Sequence, residues 1–337
     1  MTDVRTDNST RERDPSAGLD AVRVRMEDYD VELGPLGHLA AERERLAGLS
    51  WEHFDVRPLS ATLGAEVRGI DIAQELPDAE IAELRRALLD YKVIFFRDQP
   101  LTAARHVAFA ARFGELEVHP FIPGNPEHPE LVRFEKGADT GGYENGWHHD
   151  VTWREVPSMA AVLHAVQVPA TGGDTLFADM CAAYEGLDDD LKARIDGLTA
   201  VHDHLKTFGR QVPPEKQAEI RAMFPPVEHP VVRTHPETGR KMLFVNRFFT
   251  DRIVGLDRDQ SRDLIDTLCR RADIIEYQCR FRWEPDSVAM WDNRSVQHYA
   301  CSDYWPSIRI MERASITGER PRLGHVWRHS GPHIRVH

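Results

Sequence analysis

The sequence has no long apolar run, no basic tract and no closely spaced cysteine pair. No stretch approaches the roughly 20 consecutive apolar residues of a membrane-spanning helix, so we expect no membrane segment. The net charge of −13 argues against a nucleic-acid-binding surface. Residues 1–15 are too polar for a secretory signal. The four cysteines are Cys181, Cys269, Cys279 and Cys301, with no C-x-x-C spacing. These absences predict a reduced, cytoplasmic protein that binds neither nucleic acid nor membrane.

The 337 residues suffice for one large domain or two ordinary ones. Residues 1–50 are charged and poor in aromatic side chains, which predicts a mobile polar arm with a short helix around Leu39–Leu46. Residues 51–323 show no repeat and no strong boundary, so they are predicted to form one domain. Residues 324–337 are interpreted as a solvated C-terminal tail. This tail carries four regularly spaced histidines: His325, His329, His333 and His337. The sequence is compatible with a homo-oligomer.

Short strands dominate the predicted domain. Val93-Ile94-Phe95-Phe96 has the β-branched and aromatic content of a buried strand. Tyr277–Trp283 and Ser287–Trp291 are predicted to pair as a hairpin across Glu284-Pro285-Asp286. Many short strands with turn signals, plus a few helices, predict a mainly β fold. The expected architecture is a double-stranded β-helix, or jelly roll, with flanking helices.

The stretch from His119 to Gly146 is rich in proline and glycine and shows little periodicity. A loop of this length in a compact domain is typically a functional lid or disordered. It directly precedes Trp147-His148-His149-Asp150, the stretch most suggestive of chemistry. We therefore expect the loop to lie over the active site and to exclude water when it closes.

His148 and Asp150 would point to one face of an extended backbone, with His149 on the other face. One more histidine would complete the 2-His-1-carboxylate set that binds non-haem Fe(II) and leaves one side of the metal open. The triplet alone is weak evidence, because H-x-D occurs by chance in many proteins. His298, just after a predicted strand, is the candidate third ligand.

Further motifs follow one another across most of the chain, from about Phe54 to Leu323. They are Phe95-Phe96-Arg97-Asp98-Gln99, Phe113-Gly114-Glu115-Leu116, Trp147-His148-x-Asp150-Val151-Thr152, Thr171-Gly172-Gly173-Asp174-Thr175, Val231-Val232-Arg233-Thr234-His235-Pro236, Trp291-Asp292-Asn293-Arg294 and Gln297-His298-Tyr299. In order and spacing they resemble the taurine/2-oxoglutarate dioxygenase (TauD/TfdA) family of Fe(II)- and 2-oxoglutarate-dependent oxygenases. This likeness is far more specific than a single triplet.

The resemblance implies an oxidoreductase of the EC 1.14.11 type, with Fe(II) held by His148, Asp150 and His298. It implies 2-oxoglutarate as cosubstrate, with its far carboxylate on Thr175 and Arg309, and O2 as oxidant; ascorbate could stimulate turnover. Arginine suits this role because its guanidinium binds a carboxylate through two parallel hydrogen bonds. Related halogenating enzymes have chloride in place of the metal-binding carboxylate. With Asp150 present, we expect hydroxylation, desaturation or ring oxidation.

The likeness is weaker on the substrate side. Positions that shape the pocket of taurine dioxygenases are matched by His119, Phe208, Phe249 and Arg313. The family's tyrosine after His119-Pro120 is replaced by Ile122, and an asparagine before the first metal ligand is replaced by Glu144, with Asn145 adjacent. Fewer polar groups predict a more apolar pocket. We therefore expect a small to medium, partly apolar organic acid, such as a terpenoid or polyketide acid of antibiotic biosynthesis or other secondary metabolism.

The sequence leaves two alternative functions open. One is a taurine, alkylsulfonate or sulfate-ester dioxygenase for sulfur scavenging, against which Ile122 and Glu144 argue. The other is a metal-binding jelly-roll sensor without turnover, which would not need Thr175 and Arg309.

Overall fold

Helices pack on the outside of two facing β-sheets in the computed structural model. The structure describes residues 36–140, 144–209 and 212–324, and the backbone of two short strands before them. The strands are β1 (Val24–Met26), β2 (Val31–Leu33), β3 (Asp55–Pro58), β4 (Ala65–Arg68), β5 (Val93–Phe96), β6 (Leu131–Lys136), β7 (Ala160–Gln167), β8 (Thr175–Asp179), β9 (Thr199–His202), β10 (Val227–Pro230), β11 (Val232–Thr234), β12 (Lys241–Leu243), β13 (Thr250–Ile253), β14 (Gln278–Phe281), β15 (Val288–Asp292), β16 (Val296–Ala300) and β17 (Arg309–Ile316).

The helices flank these strands in the sequence. They are α1 (His38–Ala47), α2 (Asp78–Tyr91), α3 (Ala103–Ala111), α4 (Met180–Glu185), α5 (Asp189–Ile195), α6 (Leu205–Phe208), α7 (Pro214–Met223) and α8 (Arg258–Cys269). Where the structure describes the chain, none of its helices is long and apolar enough to cross a membrane. All four cysteines are free.

The larger sheet has seven strands in the order β3-β4-β5-β15-β7-β17-β6, and the smaller facing sheet has the order β14-β8-β16. Within the larger sheet only β4 and β5 pair in parallel. Three further small sheets have the strand orders β1-β2, β10-β9-β13 and β11-β12. The predicted mainly β, double-sheet fold is confirmed.

Strand β5 shows why its sequence is apolar throughout. Ile94 and Phe96 belong to the core beneath helices α2 and α3, whereas Val93 and Phe95 belong to the core between the two sheets. Both faces of the strand are therefore buried, as the apolar run predicted. Between the sheets, Phe95 stacks on Phe281 with ring centroids 4.0 Å apart.

Helix α1 packs on the domain although it lies in the segment interpreted as a polar arm. Leu39 and Leu46 are 8 % and 4 % exposed. Between them, Glu42 forms ion pairs with Arg240 and with the buried Lys92. The helix prediction around Leu39–Leu46 therefore coincides with an element that contributes to the core. The predicted tail beyond Gly324 lies outside the described residues.

Two local expectations are corrected. The stretch from His119 to Gly146 contains β6, which pairs with β17 at the edge of the seven-stranded sheet. Strands β14 and β15 do not form a hairpin with each other: β14 pairs with β8, and β15 pairs with β5 and β7. The turn before β15 is real, with Asp286 at a φ of 60°, but the chain passes from one sheet to the other there.

Candidate active site

His148 and His298 face each other across a single antiparallel bridge, which attaches the backbone at His148 to strand β16 of the smaller sheet. The backbone N–H of His298 donates to the carbonyl of His148 at 2.9 Å, and the reverse bond measures 3.2 Å. The Nε2 atoms of both imidazoles lie 3.9 Å from Oδ1 of Asp150. One potential ligand atom from each of the three residues therefore lies within 4.8 Å of the others. The structure brings together the three metal ligands suggested by the sequence.

Backbone contacts orient this triad. Nδ1 of His148 donates to the carbonyl of Gly146 at 2.7 Å, which leaves the Nε2 lone pair facing Asp150. The imidazole also stacks on Phe248, with ring centroids 4.6 Å apart. Asn293 holds the Asp150 backbone from both sides, because its Oδ1 accepts from the Asp150 N–H and its Nδ2 donates to the Asp150 carbonyl. This explains the asparagine in the Trp-Asp-Asn-Arg motif.

The protonation states also suit a divalent metal. Burial lowers the pKa of His148 and, together with the neighbouring His148, lowers the pKa of His298 to about 3. Burial alone would raise the pKa of Asp150, but Arg313 and the two imidazoles lower it to about 2. Two neutral imidazoles and one carboxylate are the forms in which these side chains coordinate metals. The chemistry of the donor set therefore fits Fe(II).

His149 lies apart from these potential ligands. It is fully buried and packs on Phe244, with ring centroids 4.8 Å apart. Neither of its ring nitrogens has a hydrogen-bond partner within the described part of the chain. The position agrees with the expected opposite orientation of alternate side chains.

A second polar subsite lies at Arg309 and Thr175. Nη2 of Arg309 is buried and has no hydrogen-bond partner among the residues that the structure describes, while Nε donates to the carbonyl of Gly173 at 3.2 Å. Nε1 of Trp283 donates to Oγ1 of Thr175 at 2.9 Å, which leaves the hydroxyl hydrogen free for another acceptor. Burial lowers the pKa of Arg309. An unpaired guanidinium nitrogen beside a free hydroxyl fits a carboxylate.

Gly173 allows this subsite to form. Its φ of +72° favours glycine, and a Cβ there would lie 3.2 Å from both Cδ of Arg309 and Cδ1 of Tyr304. The Gly-Gly motif therefore leaves space for the arginine. The sequence did not single out Trp283 or Tyr304, whose rings lie 5.8 Å and 6.0 Å from the guanidinium carbon of Arg309.

One cavity of about 320 Å³ connects the metal triad with the Arg309 subsite. One of its walls is formed by an aromatic cluster that is separate from the domain cores and reaches the metal triad, because Phe248 stacks on His148. This aromatic cluster consists of Val151, Trp153 and Phe249, with Phe121, Phe208, Phe224 and Phe248 packed against them. The sequence predicts Phe208 and Phe249 as pocket residues, whereas no regular spacing links the other members of the cluster.

The remaining predicted pocket residues divide into two groups. His119, Ile122, Glu144 and Arg313 line the cavity. Asn145 is exposed and is not among the lining residues, so the asparagine next to Glu144 does not supply the missing amide to the pocket. Lys136, which no sequence motif marks, also lines the cavity and lies 3.6 Å from the carboxylate of Glu144.

Two side chains near the metal triad, Arg313 and His119, can donate hydrogen bonds to an anion. Nη1 of Arg313 lies 3.0 Å and 3.1 Å from the two carboxylate oxygens of Asp150. Nδ1 of His119 accepts from the backbone N–H groups of Phe121 and Ile122, which fixes the ring proton of the neutral form on Nε2. Burial lowers the pKa of His119 to about 4, so its imidazole is a neutral donor at pH 7.

Comparison with known proteins places this geometry in context. Residues 55–315 match the family model described as taurine catabolism dioxygenase TauD, TfdA family. The chain belongs to the TauD/TfdA family. It is thereby identified as an Fe(II)- and 2-oxoglutarate-dependent dioxygenase, an oxidoreductase of the EC 1.14.11 type, and the predicted family, jelly-roll fold and cofactors are confirmed.

Similar members of the family are known from several organisms. An alpha-ketoglutarate-dependent sulfate ester dioxygenase of Pseudomonas putida is 38 % identical, over 80 % of this chain and 91 % of that protein. A (S)-phenoxypropionate/alpha-ketoglutarate-dioxygenase of Sphingobium herbicidovorans is 36 % identical, over 79 % of this chain and 96 % of that protein. The crystal structure of AAD-2 in complex with Mn(II) and N-oxalylglycine has a TM-score of 0.70 and 30 % identity, covering 81 % of this chain and 100 % of that one.

Proposed function

We propose that this dioxygenase oxidises an organic anion with an apolar body, and that a carboxylic acid is its leading substrate class. The observation that carries the proposal is a cavity that has Arg313 and His119 beside the metal triad and the aromatic cluster as one of its walls. Such a cavity offers polar groups that can bind the acid group and an apolar wall that can pack on the carbon skeleton.

In this proposal His148, Asp150 and His298 hold Fe(II), and Arg309 with Thr175 binds the far carboxylate of 2-oxoglutarate. Held there, Fe(II) and 2-oxoglutarate would supply the oxidation with O2, and 2-oxoglutarate would leave as succinate and CO2. The N-oxalylglycine bound by AAD-2 carries two carboxylates, as 2-oxoglutarate does, which supports a dicarboxylate subsite at the unpaired nitrogen of Arg309.

Arg313 is proposed to orient the acid group of the substrate. Its guanidinium already touches Asp150, so an anion bound there would lie next to the metal and place the adjacent carbon within reach of oxidation. His119 would add one neutral N–H donor, because its tautomer is fixed by two backbone amides. Its proton therefore contributes a hydrogen bond without adding a further charge.

The aromatic cluster is proposed to hold the carbon skeleton and to exclude water. Phe249 is 4 % exposed, and Phe208 packs on it with ring centroids 6.1 Å apart. Ile122 adds an aliphatic side chain where the family's tyrosine would offer a hydroxyl. Taurine has no apolar body to bury against these groups, so it would gain little from them.

A sulfate ester is the second candidate. The names of the relatives from Pseudomonas putida and Sphingobium herbicidovorans refer to a sulfate ester and to phenoxypropionate, respectively. Both substrates combine an anionic head with a carbon skeleton, and Arg313 can pair with either head group. A terpenoid or polyketide acid would satisfy the same requirement and stays a proposal.

A panel of substrates with one variable at a time tests the proposal. Octanoate and octyl sulfate carry linear alkyl chains of nearly equal length and differ mainly in the head group, 2-phenoxypropionate offers an aryl body, and taurine offers almost no apolar body. The measurement is succinate formed per 2-oxoglutarate consumed by the Fe(II)-loaded enzyme. We expect octanoate or 2-phenoxypropionate to give coupled turnover and taurine to stay at the background without substrate.

The Ile122→Tyr variant is the matched control, because it restores the family's hydroxyl. It should shift the preference from octanoate towards taurine. Coupled turnover with octyl sulfate but with neither carboxylic acid would select the second candidate. Efficient taurine oxidation by the unmodified enzyme would contradict the need for an apolar body.

A further inference from the structure

We propose a second divalent-metal site, formed by His106, His164 and Glu312 on the outer face of the seven-stranded sheet. One potential ligand atom from each of these residues lies within 4.8 Å of the others. The triad of His148, Asp150 and His298 meets the same geometric limit. The second cluster therefore has the donor types and the spacing of a 2-His-1-carboxylate set, in a different part of the fold.

Strand pairing places the cluster opposite the active site. His164 on β7 and Glu312 on β17 are direct register partners. Their neighbours Leu163 and Arg313 line the active-site cavity. Because successive side chains of a strand point to opposite faces, His164 and Glu312 face outward, towards helix α3. There they meet His106, whose ring centroid lies 6.1 Å from that of His164.

The hydrogen bonds leave one nitrogen of each imidazole without a partner. Nε2 of His106 bonds to the carbonyl of Val162 at 3.0 Å, and Nε2 of His164 bonds to Oδ1 of Asp286 at 3.2 Å. In both cases the oxygen accepts, so Nε2 carries the proton and Nδ1 carries the lone pair. Both Nδ1 atoms are buried and have no hydrogen-bond partner among the described residues.

These contacts are typical of the surroundings of metal-binding histidines. A coordinating imidazole commonly donates its other N–H to a carboxylate or a backbone carbonyl, which fixes the tautomer and the ring orientation. His164 has the carboxylate of Asp286, and His106 has the carbonyl of Val162. His106 is 0 % exposed and His164 is 3 % exposed, so bulk water does not provide a hydrogen-bond partner for the unpaired Nδ1 of either residue.

Glu312 supplies the carboxylate. Its Oε1 accepts from Nη1 of Arg133 at 3.0 Å, which leaves Oε2 for a metal. Zinc binds nitrogen and oxygen ligands at about 2.0–2.2 Å, which in a tetrahedral site brings ligand atoms to about 3.3 Å from one another. The partly exposed Glu312 can make this approach, whereas the two buried imidazoles are held by their hydrogen bonds.

The proposed ion is a borderline divalent cation, with Zn²⁺ as the best match. Zinc accepts two histidines and one carboxylate and takes water as a fourth ligand. An ion would enter from the side of Glu312, which is the partly exposed member of the cluster. Bound there, the ion would tie α3 to strands β7 and β17. Strand β17 carries Arg309 and Arg313, so the ion would brace the strand that supplies both arginines of the cavity.

Metal stoichiometry tests this proposal without relying on activity. The parent protein is the full chain with the four tail histidines changed to glutamine, so that they add no zinc ligand: His325→Gln, His329→Gln, His333→Gln and His337→Gln. After metal removal, Zn²⁺ is titrated and bound zinc is measured after equilibrium dialysis. We expect two Zn²⁺ per chain, one at each 2-His-1-carboxylate set.

The variant Glu312→Gln should bind one Zn²⁺, and a further His148→Ala change should remove that one as well. Glu312 is partly exposed, so its replacement by an isosteric amide should preserve the fold. The matched control is Glu135→Gln, which removes the other carboxylate near Arg133 but no ligand; it should keep two. A parent that binds one Zn²⁺, or a Glu312→Gln variant that still binds two, would overturn the proposal.

Discussion

Replacing Arg309 by lysine should weaken 2-oxoglutarate binding strongly while keeping the positive charge. Arg309 places an unpaired Nη2 in the cavity and anchors its Nε on Gly173. A lysine ammonium cannot form both the anchoring bond and a two-pronged pair with a carboxylate. The loss of one charge-assisted hydrogen bond, at about 1.5–3 kcal/mol, corresponds to roughly a ten- to hundred-fold weaker affinity.

The assay is an anaerobic titration of the Fe(II)-loaded protein with 2-oxoglutarate, followed by the weak visible absorption band of the complex. The apparent KM for 2-oxoglutarate in aerobic turnover should rise in parallel. Arg280→Lys is the matched control, because Arg280 is an exposed arginine that pairs with Asp174 near the same subsite. The affinity of Arg280→Lys for 2-oxoglutarate should stay within about two-fold of that of the unmodified protein, because a surface ion pair contributes little free energy. An unchanged affinity in Arg309→Lys would refute the assignment of this residue.

Two further predictions concern stability. Deleting residues 1–47 should lower the melting temperature well below that of a chain lacking only residues 1–35. The longer deletion removes the buried Leu39 and Leu46, whose burial contributes about 1.5–3 kcal/mol each. Equal melting temperatures would show that α1 does not stabilise the domain. Because burial lowers the pKa of His229 to about 4 from 6.5, the folded chain takes up this proton later than the unfolded chain as the pH falls. The contribution of the neutral His229 to the free energy of unfolding is therefore fully present above pH 6.5, and about 2 kcal/mol of it is lost at pH 5. Urea unfolding at pH 7 and at pH 5 measures this difference. The free energy of unfolding of His229→Gln should fall by about 2 kcal/mol less between the two pH values than that of the unmodified protein.

The metal triad could be predicted from the sequence because its chemistry depends on few residue types in a recognisable order. His148, Asp150 and His298 lie together in the structure as expected. The packing of β14 and β15 could not be predicted in the same way. The turn between them has ordinary hairpin residues, and local turn chemistry does not encode which sheet each strand joins. Strand partners are set by contacts that are distant in sequence.

The aromatic cluster and the second cluster of potential ligands were missed for the same reason. Phe121, Trp153 and Phe248 come from separate loops, so no periodicity connects them. His106, His164 and Glu312 lie on one helix and two strands, spread across more than half of the chain. Only strand register and helix packing bring their side chains together. Helix α1 was predicted near its observed position, but its buried leucines were not distinguished from those of a solvated arm.

The central claim is that His148, Asp150 and His298 bind Fe(II), and anaerobic iron binding tests it most directly. Fe(II) affinity is measured by equilibrium dialysis for the unmodified protein and for the single variants His148→Ala, His298→Ala and His149→Ala. His149 is the matched control, since it neighbours His148 in sequence yet packs on Phe244. We expect His148→Ala and His298→Ala to lose the high-affinity iron, and His149→Ala to retain it. Iron retained by His148→Ala, or lost as fully by His149→Ala, would contradict the account.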